Sequence, residues 1–132
     1  MDAMLWSGWG DPAKAAALPP AVAVRLGQAL GLRGPRPPVR LDQVRLPAPA
    51  LPAVVRDELV ALVGAAYMRV GAEDRIRHTR GKSTVDLLRI RAGDADDAPD
   101  AVVFPADHEQ VLAVLRCCAA ARVAVVTFGG GT

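Results

Sequence analysis

The end of this chain, residues 99–132, most constrains what it can fold into: PDAVVFPADHEQVLAVLRCCAAARVAVVTFGGGT. Residues 101–104 are a short apolar run with two valines, bounded by Pro99 and Pro105, and predict a buried strand. Asp107, with Gln110 three positions on, predicts a capped helix start, because each side chain satisfies an otherwise unpaired backbone N–H. Val111, Leu112, Val114, Leu115, Cys118 and Ala119 then recur at helical spacing. Residues 123–128 are β-branched and apolar on both faces, which predicts a second strand, central in a sheet. Gly129, Gly130, Gly131 and Thr132 follow at its carboxyl end.

Three consecutive glycines permit positive φ and leave no Cβ between a ligand and the backbone. Successive N–H groups can then converge on an anion, typically a diphosphate. Two readings stay open: a cofactor phosphate loop at a sheet edge, or a tight turn or flexible tail. The glycines alone point more to the turn or tail, and the preceding strand–helix–strand brings the phosphate-loop reading level with it. The dinucleotide fingerprint GxGxxG is absent.

This segment resembles the start of an FAD-binding domain of the vanillyl-alcohol-oxidase (p-cresol-methylhydroxylase) type. There a PDAVV-P strand, an EQV-AVL helix and a V-PFGGGTS loop occur in this order, and the loop wraps the FAD diphosphate. With WSGWGDPAK and RHTRGKSTVDLLRIRAGD upstream, the chain is similar to bacterial relatives of alkylglycerone-phosphate synthase. The resemblance implies an α+β fold: a mostly helical N-terminal extension over 1–98, then at 99–132 the first strand–helix–strand of an FAD-binding domain, incomplete at the diphosphate loop. It implies FAD as cofactor, held by Thr127, Phe128, Gly129, Gly130, Gly131 and Thr132, chiefly through backbone N–H groups, with the Thr132 hydroxyl as a further donor. Two departures stand out. Thr127 occupies a position where the family has proline, and the chain stops at Thr132 where the family continues with serine and several hundred residues.

At 132 residues and 52% hydrophobic content the chain can build one core, although with 4% aromatic residues burial per residue is modest. A net charge of +2, with no long Lys/Arg block, gives no case for nucleic acid. No apolar run approaches the length of a membrane span and no secretory leader is evident, so a soluble cytoplasmic protein is expected. Cys117 and Cys118 are adjacent and cannot close an unstrained disulfide together or share a metal, so they are expected as small buried or half-buried helix residues.

Upstream, Trp6 and Trp9 are expected to pack an N-terminal arm onto the body. Asp11-Pro12 opens one or two helical turns over 13–18. A better helix covers 21–30, with Gly31 as its stop, and Gly34-Pro35-Arg36-Pro37-Pro38 is a stiff linker. Residues 39–46 are irregular or a short strand. Residues 53–63 form an amphipathic helix, with Val54, Val55, Leu59 and Leu62 inward. Gly81-Lys82-Ser83-Thr84 is no phosphate-binding P-loop, since Ile76 stands where its first glycine belongs and no apolar strand precedes it. Ser83 and Asp86 instead cap a helix whose inward stripe is Leu87, Leu88 and Ile90. His78 and His108 lack ligand-spaced partners and are expected in structural or solvent roles.

No residue is assigned as catalytic or as a metal ligand. The expected partners are FAD and the missing C-terminal portion of a parent flavoprotein. The alternatives are a catalytically silent fragment and a small helical interaction module.

Overall fold

The computed structural model describes residues 5–32, 34 and 36–131. Helix α1 is Pro20–Leu30, starting on a proline pair and closing at Gly31 in the left-handed region (φ 62°, ψ 31°). Only one 3-10 turn, Pro12–Lys14, precedes it within 13–18. Gly34 and residues 36–38 of the linker carry no regular secondary structure, and Pro35 lies outside the described residues. Residues 39–46 hold a 3-10 turn, Leu41–Gln43, and a single bridge from Arg45 to Asp94.

Helix α2 (Ala53–Val63) occupies the expected span and turns Val55 and Leu59 inward as expected, with Leu62 half-buried against the core; Val54 departs. Val55, Leu59 and Val63 are buried, at four-residue spacing, while Val54 is 70% exposed. The valine pair at 54 and 55 is ambiguous as a sequence. Only the position of the facing helix decides which of them points in. Strand β1 (Met68–Arg69), helix α3 (Ala72–Arg77) and helix α4 (Thr84–Arg91) follow. The cap of α4 is as expected, since Ser83 Oγ accepts from the Asp86 N–H at 3.2 Å. Its stripe is narrower: Leu87 and Ile90 are buried and Leu88 is 62% exposed. Strand β2 (Val102–Val103) and helix α5 (His108–Ala120) complete the chain. Asp107 Oδ1 accepts from the Gln110 N–H at 2.8 Å, and Gln110 Oε1 accepts from the Ala106 N–H at 2.8 Å.

β1 and β2 pair antiparallel, Met68 opposite Val103 and Arg69 opposite Val102. The expected strand at 101–104 is therefore present in its middle but half-buried, and its partner is a segment the sequence did not mark. The expected central strand at 123–128 is not formed. A strand exists by its ladder, and no backbone hydrogen bond joins residues 124–131 to any other described residue.

Two small cores result. One joins α2 to α5 and β1 through Val55, Leu59, Val63, Met68, Val114 and Cys118. The other joins α3 and α4 to the loop segments through Val44, Ile76, Leu87, Ile90 and Ala95. The tryptophan arm packs as expected. Trp6 lies against the second core, Trp9 Nε1 donates to the Lys82 carbonyl at 2.8 Å, and Lys82 Nζ donates to the Leu5 and Trp6 carbonyls. Burial, and then the charge of Arg77, lower the Lys82 pKa. Lys82 thus staples the arm and has no phosphate-loop geometry.

The segment leading into β2 is held by charge. Asp94 accepts from Arg89 Nε at 2.9 Å and Arg80 Nη2 at 3.2 Å, and Arg80 also pairs with Asp97. The Arg89 hydrogen bond first, then the Asp96 N–H and Arg80, bring the Asp94 carboxyl down to about 2. Because the folded pKa is depressed, this contribution is present above the unfolded value of about 3.9 and is lost as pH falls towards 2. Thermal melts between pH 5 and about 2 are expected to show the melting temperature falling through this window. The fall should be shallower in Asp94→Asn; an identical slope would remove Asp94 from the acid response.

Candidate functional site

Helix α5 is capped at Ala121, and the next residue, Arg122, adopts a left-handed φ of 55°. The Val123 N–H returns to the Cys118 carbonyl at 2.8 Å, so the chain reverses off the helix in a Schellman-like turn. Val123 still packs against the first core. Beyond it the chain leaves the body: Val125 is 45% and Val126 88% exposed.

Of the residues expected to hold the diphosphate, Thr127, Phe128, Gly129 and Gly130 are exposed, whereas Gly131 is buried. Thr132 lies outside the described residues. At Gly129 a Cβ would meet nothing within 4 Å, so the approach to the backbone is open. Gly131 has φ 69°, which a side chain would strain. The N–H groups of 124–131 have no backbone acceptor among the described residues. Unpaired donors, an open approach and a left-handed glycine fit an anion such as a diphosphate. Neither described concavity adjoins this loop. One of about 460 Å³ is lined by Arg40, Leu41, Asp42, Ala72 and Glu73. The other, about 180 Å³, lies between Gly8, Trp9, Thr84, Leu87, Leu88 and Arg91.

The loop is attached by a ring. Phe128 packs tilted on His78, with centroids 4.7 Å apart and planes at 60°. His78 meets Phe104 edge-on at 5.7 Å and 82°, and the Arg69 guanidinium lies 5.1 Å above the Phe104 ring. The sequence offered no signal that these rings meet, since they are 24 or more positions apart and no motif links them. His108 is exposed, as expected of a first-turn residue. Cys117 Sγ donates to Glu58 Oε2 at 3.3 Å. Burial, and then Glu58, push the Cys117 thiol up, and burial pushes Cys118 up, so neither is an activated nucleophile. Among the described residues no group of three His, Cys, Asp or Glu could hold a metal, and no helix is long and apolar enough to cross a membrane.

Residues 99–132 match the model of the FAD binding domain family. Protein Rv2250A of Mycobacterium tuberculosis is 44% identical over 104 residues, covering 77% of this chain and 69% of that protein. Alkyldihydroxyacetonephosphate synthases of Trypanosoma brucei brucei and Dictyostelium discoideum are 38% and 33% identical over 67% and 73% of this chain, but only 14% and 16% of their own length. A solved alkyldihydroxyacetonephosphate synthase superposes with a TM-score of 0.83 at 25% identity, covering 98% of this chain and 28% of that one. The chain belongs to the FAD-binding, oxidase-like family of the alkyldihydroxyacetonephosphate synthase type, together with Rv2250A, and corresponds to its N-terminal part.

Proposed function

We propose that Thr127, Phe128, Gly129, Gly130, Gly131 and Thr132 form one wall of an FAD diphosphate site, at the start of an FAD-binding unit over 99–132 that follows a helical extension over 1–98. The observation that carries this reading is the row of unpaired backbone donors at 124–131, open at Gly129. Bound FAD supplies the redox chemistry, and this chain's residues bind and orient it. The opposite walls come from the C-terminal portion of an alkyldihydroxyacetonephosphate-synthase-like flavoprotein, whose activity the assembled protein performs.

Surface area supports the need for such a partner. The chain exposes 9476 Å². A compact protein of its 13.8 kDa exposes about 6,600 Å². Val126 and Phe128, with Val111 and Leu115 on α5, are part of the excess. A further strand laid along 123–128 would pair its backbone. By itself the chain is catalytically silent. Its two free thiols suit a reducing compartment such as the cytoplasm.

The test is gel filtration with FAD, with and without the remaining portion of such a flavoprotein, followed by an absorbance scan. The chain alone should elute colourless, and the pair should carry flavin bands. Gly130→Val should lower FAD affinity at least about tenfold by blocking backbone approach. Flavin retained by the chain alone would refute silence. Unchanged affinity in Gly130→Val would refute the cradle, and failure of the two parts to associate would refute the partner. A helical interaction module is the second reading, favoured by α1, which buries none of its residues. On that reading, deleting residues 5–32 would abolish association with the remaining portion.

A further inference from the structure

We infer that His78 is the positioning residue of the glycine loop, acting through its ring on Phe128. The inference rests on reading that loop as the diphosphate wall. A wall of backbone donors works only if the N–H vectors are held together. Each residue that must be ordered on binding costs conformational entropy. Residues 124–131 have no ladder to order them, and among the described residues the ring contact of Phe128 with His78 is the one polar or aromatic attachment they make. Phe128 directly precedes Gly129, so fixing its ring fixes where the first glycine starts.

His78 is itself held from two sides. Its N–H donates to the Arg75 carbonyl at 3.2 Å, closing α3. Its Nδ1–H donates to the Asp74 carbonyl at 2.7 Å, since a carbonyl can only accept, and this sets the ring's orientation. Buried Arg75 and Ile76 anchor the same helix in the body. Phe104 closes the other flank of the ring, and its own N–H donates to the Tyr67 carbonyl at 2.9 Å, at the end of the β1–β2 pair. The extension therefore reaches the loop through a ring that is rigid before any cofactor arrives. A contact between aromatic rings is worth about 0.5–1.5 kcal/mol, or roughly a two- to tenfold difference in an equilibrium.

Two substitutions separate the ring from its hydrogen bond. His78→Phe keeps a ring and loses the Nδ1–H donor. His78→Asn keeps a donor for Asp74 and loses the ring. Backbone ¹⁵N relaxation on the whole chain, without FAD, reads the outcome at the Phe128 and Gly129 amides. Order parameters near the rigid value of about 0.8 are expected in the wild type and in His78→Phe, and below about 0.6 in His78→Asn. Phe128→Leu removes the same contact from the loop side and should lower order at Gly129, which keeps the test open should either His78 variant fail to fold. Order unchanged in His78→Asn, or low already in the wild type, would overturn the assignment. Because this measurement contains no FAD, it is independent of the Gly130→Val experiment. Order lost in His78→Asn with normal flavin uptake in Gly130→Val would uphold the tether and remove the cradle.

Discussion

Arg75→Met is expected to destabilise the chain by about 3 kcal/mol, a large share of what a domain of this size has. Arg75 is 3% exposed. Its Nε donates to the Pro99 carbonyl at 2.6 Å and its Nη2 to the Pro47 carbonyl at 2.8 Å. These acceptors lie on two proline-rich segments, one leading into α2 and one into β2. Proline has no N–H to offer a ladder, so such segments must be held by their carbonyls. One guanidinium fork joins both to α3. Methionine keeps most of the volume and leaves both carbonyls without this partner. Urea unfolding followed by circular dichroism measures the loss. Arg56→Met is the control, because Arg56 pairs with Asp57 at the surface and should change stability by less than about 0.5 kcal/mol. Equal, small effects at both positions would show that Arg75 is no clamp.

Leu59→Ala should cost a similar amount, about 3 kcal/mol, by opening a cavity in the seam between α2 and α5. Leu59 is 3% exposed and shares its core with Val114 and Cys118. Loosening that seam should also make the buried Cys118 thiol react faster with a thiol reagent. Val54→Ala, on the same helix but 70% exposed, should stay within about 0.5 kcal/mol of the wild type. A larger loss at Val54 than at Leu59 would mean that α2 is turned the other way.

Much of the candidate site was legible in local chemistry. The caps at Ser83 and Asp107 use side chains within three positions of the N–H groups they satisfy, so they form wherever the helix forms. The stop at Gly31 was readable for the same kind of reason; of the two tryptophans expected to pack, Trp6 lies against a core, while Trp9 is 63% exposed and attached by a hydrogen bond. The strand at 123–128 was not. Its valines state a preference for extended backbone, but pairing needs a neighbouring strand, and no described residue supplies one. The His78–Phe128 contact joins positions 50 apart, and nothing in either local sequence points to the other.

By itself, then, the sequence determined where α1 and α2 run and where α4 and α5 start, because caps, proline and glycine act on their own neighbours, and its resemblance to FAD-binding domains pointed to 99–132; it did not mark α3. Only the tertiary structure decided that α2 buries Val55 and not Val54, that β2 pairs with Met68–Arg69, and that the His78 ring packs on Phe128. These depend on which distant segments come into contact, and burial and pairing are properties of the contact, not of either segment alone.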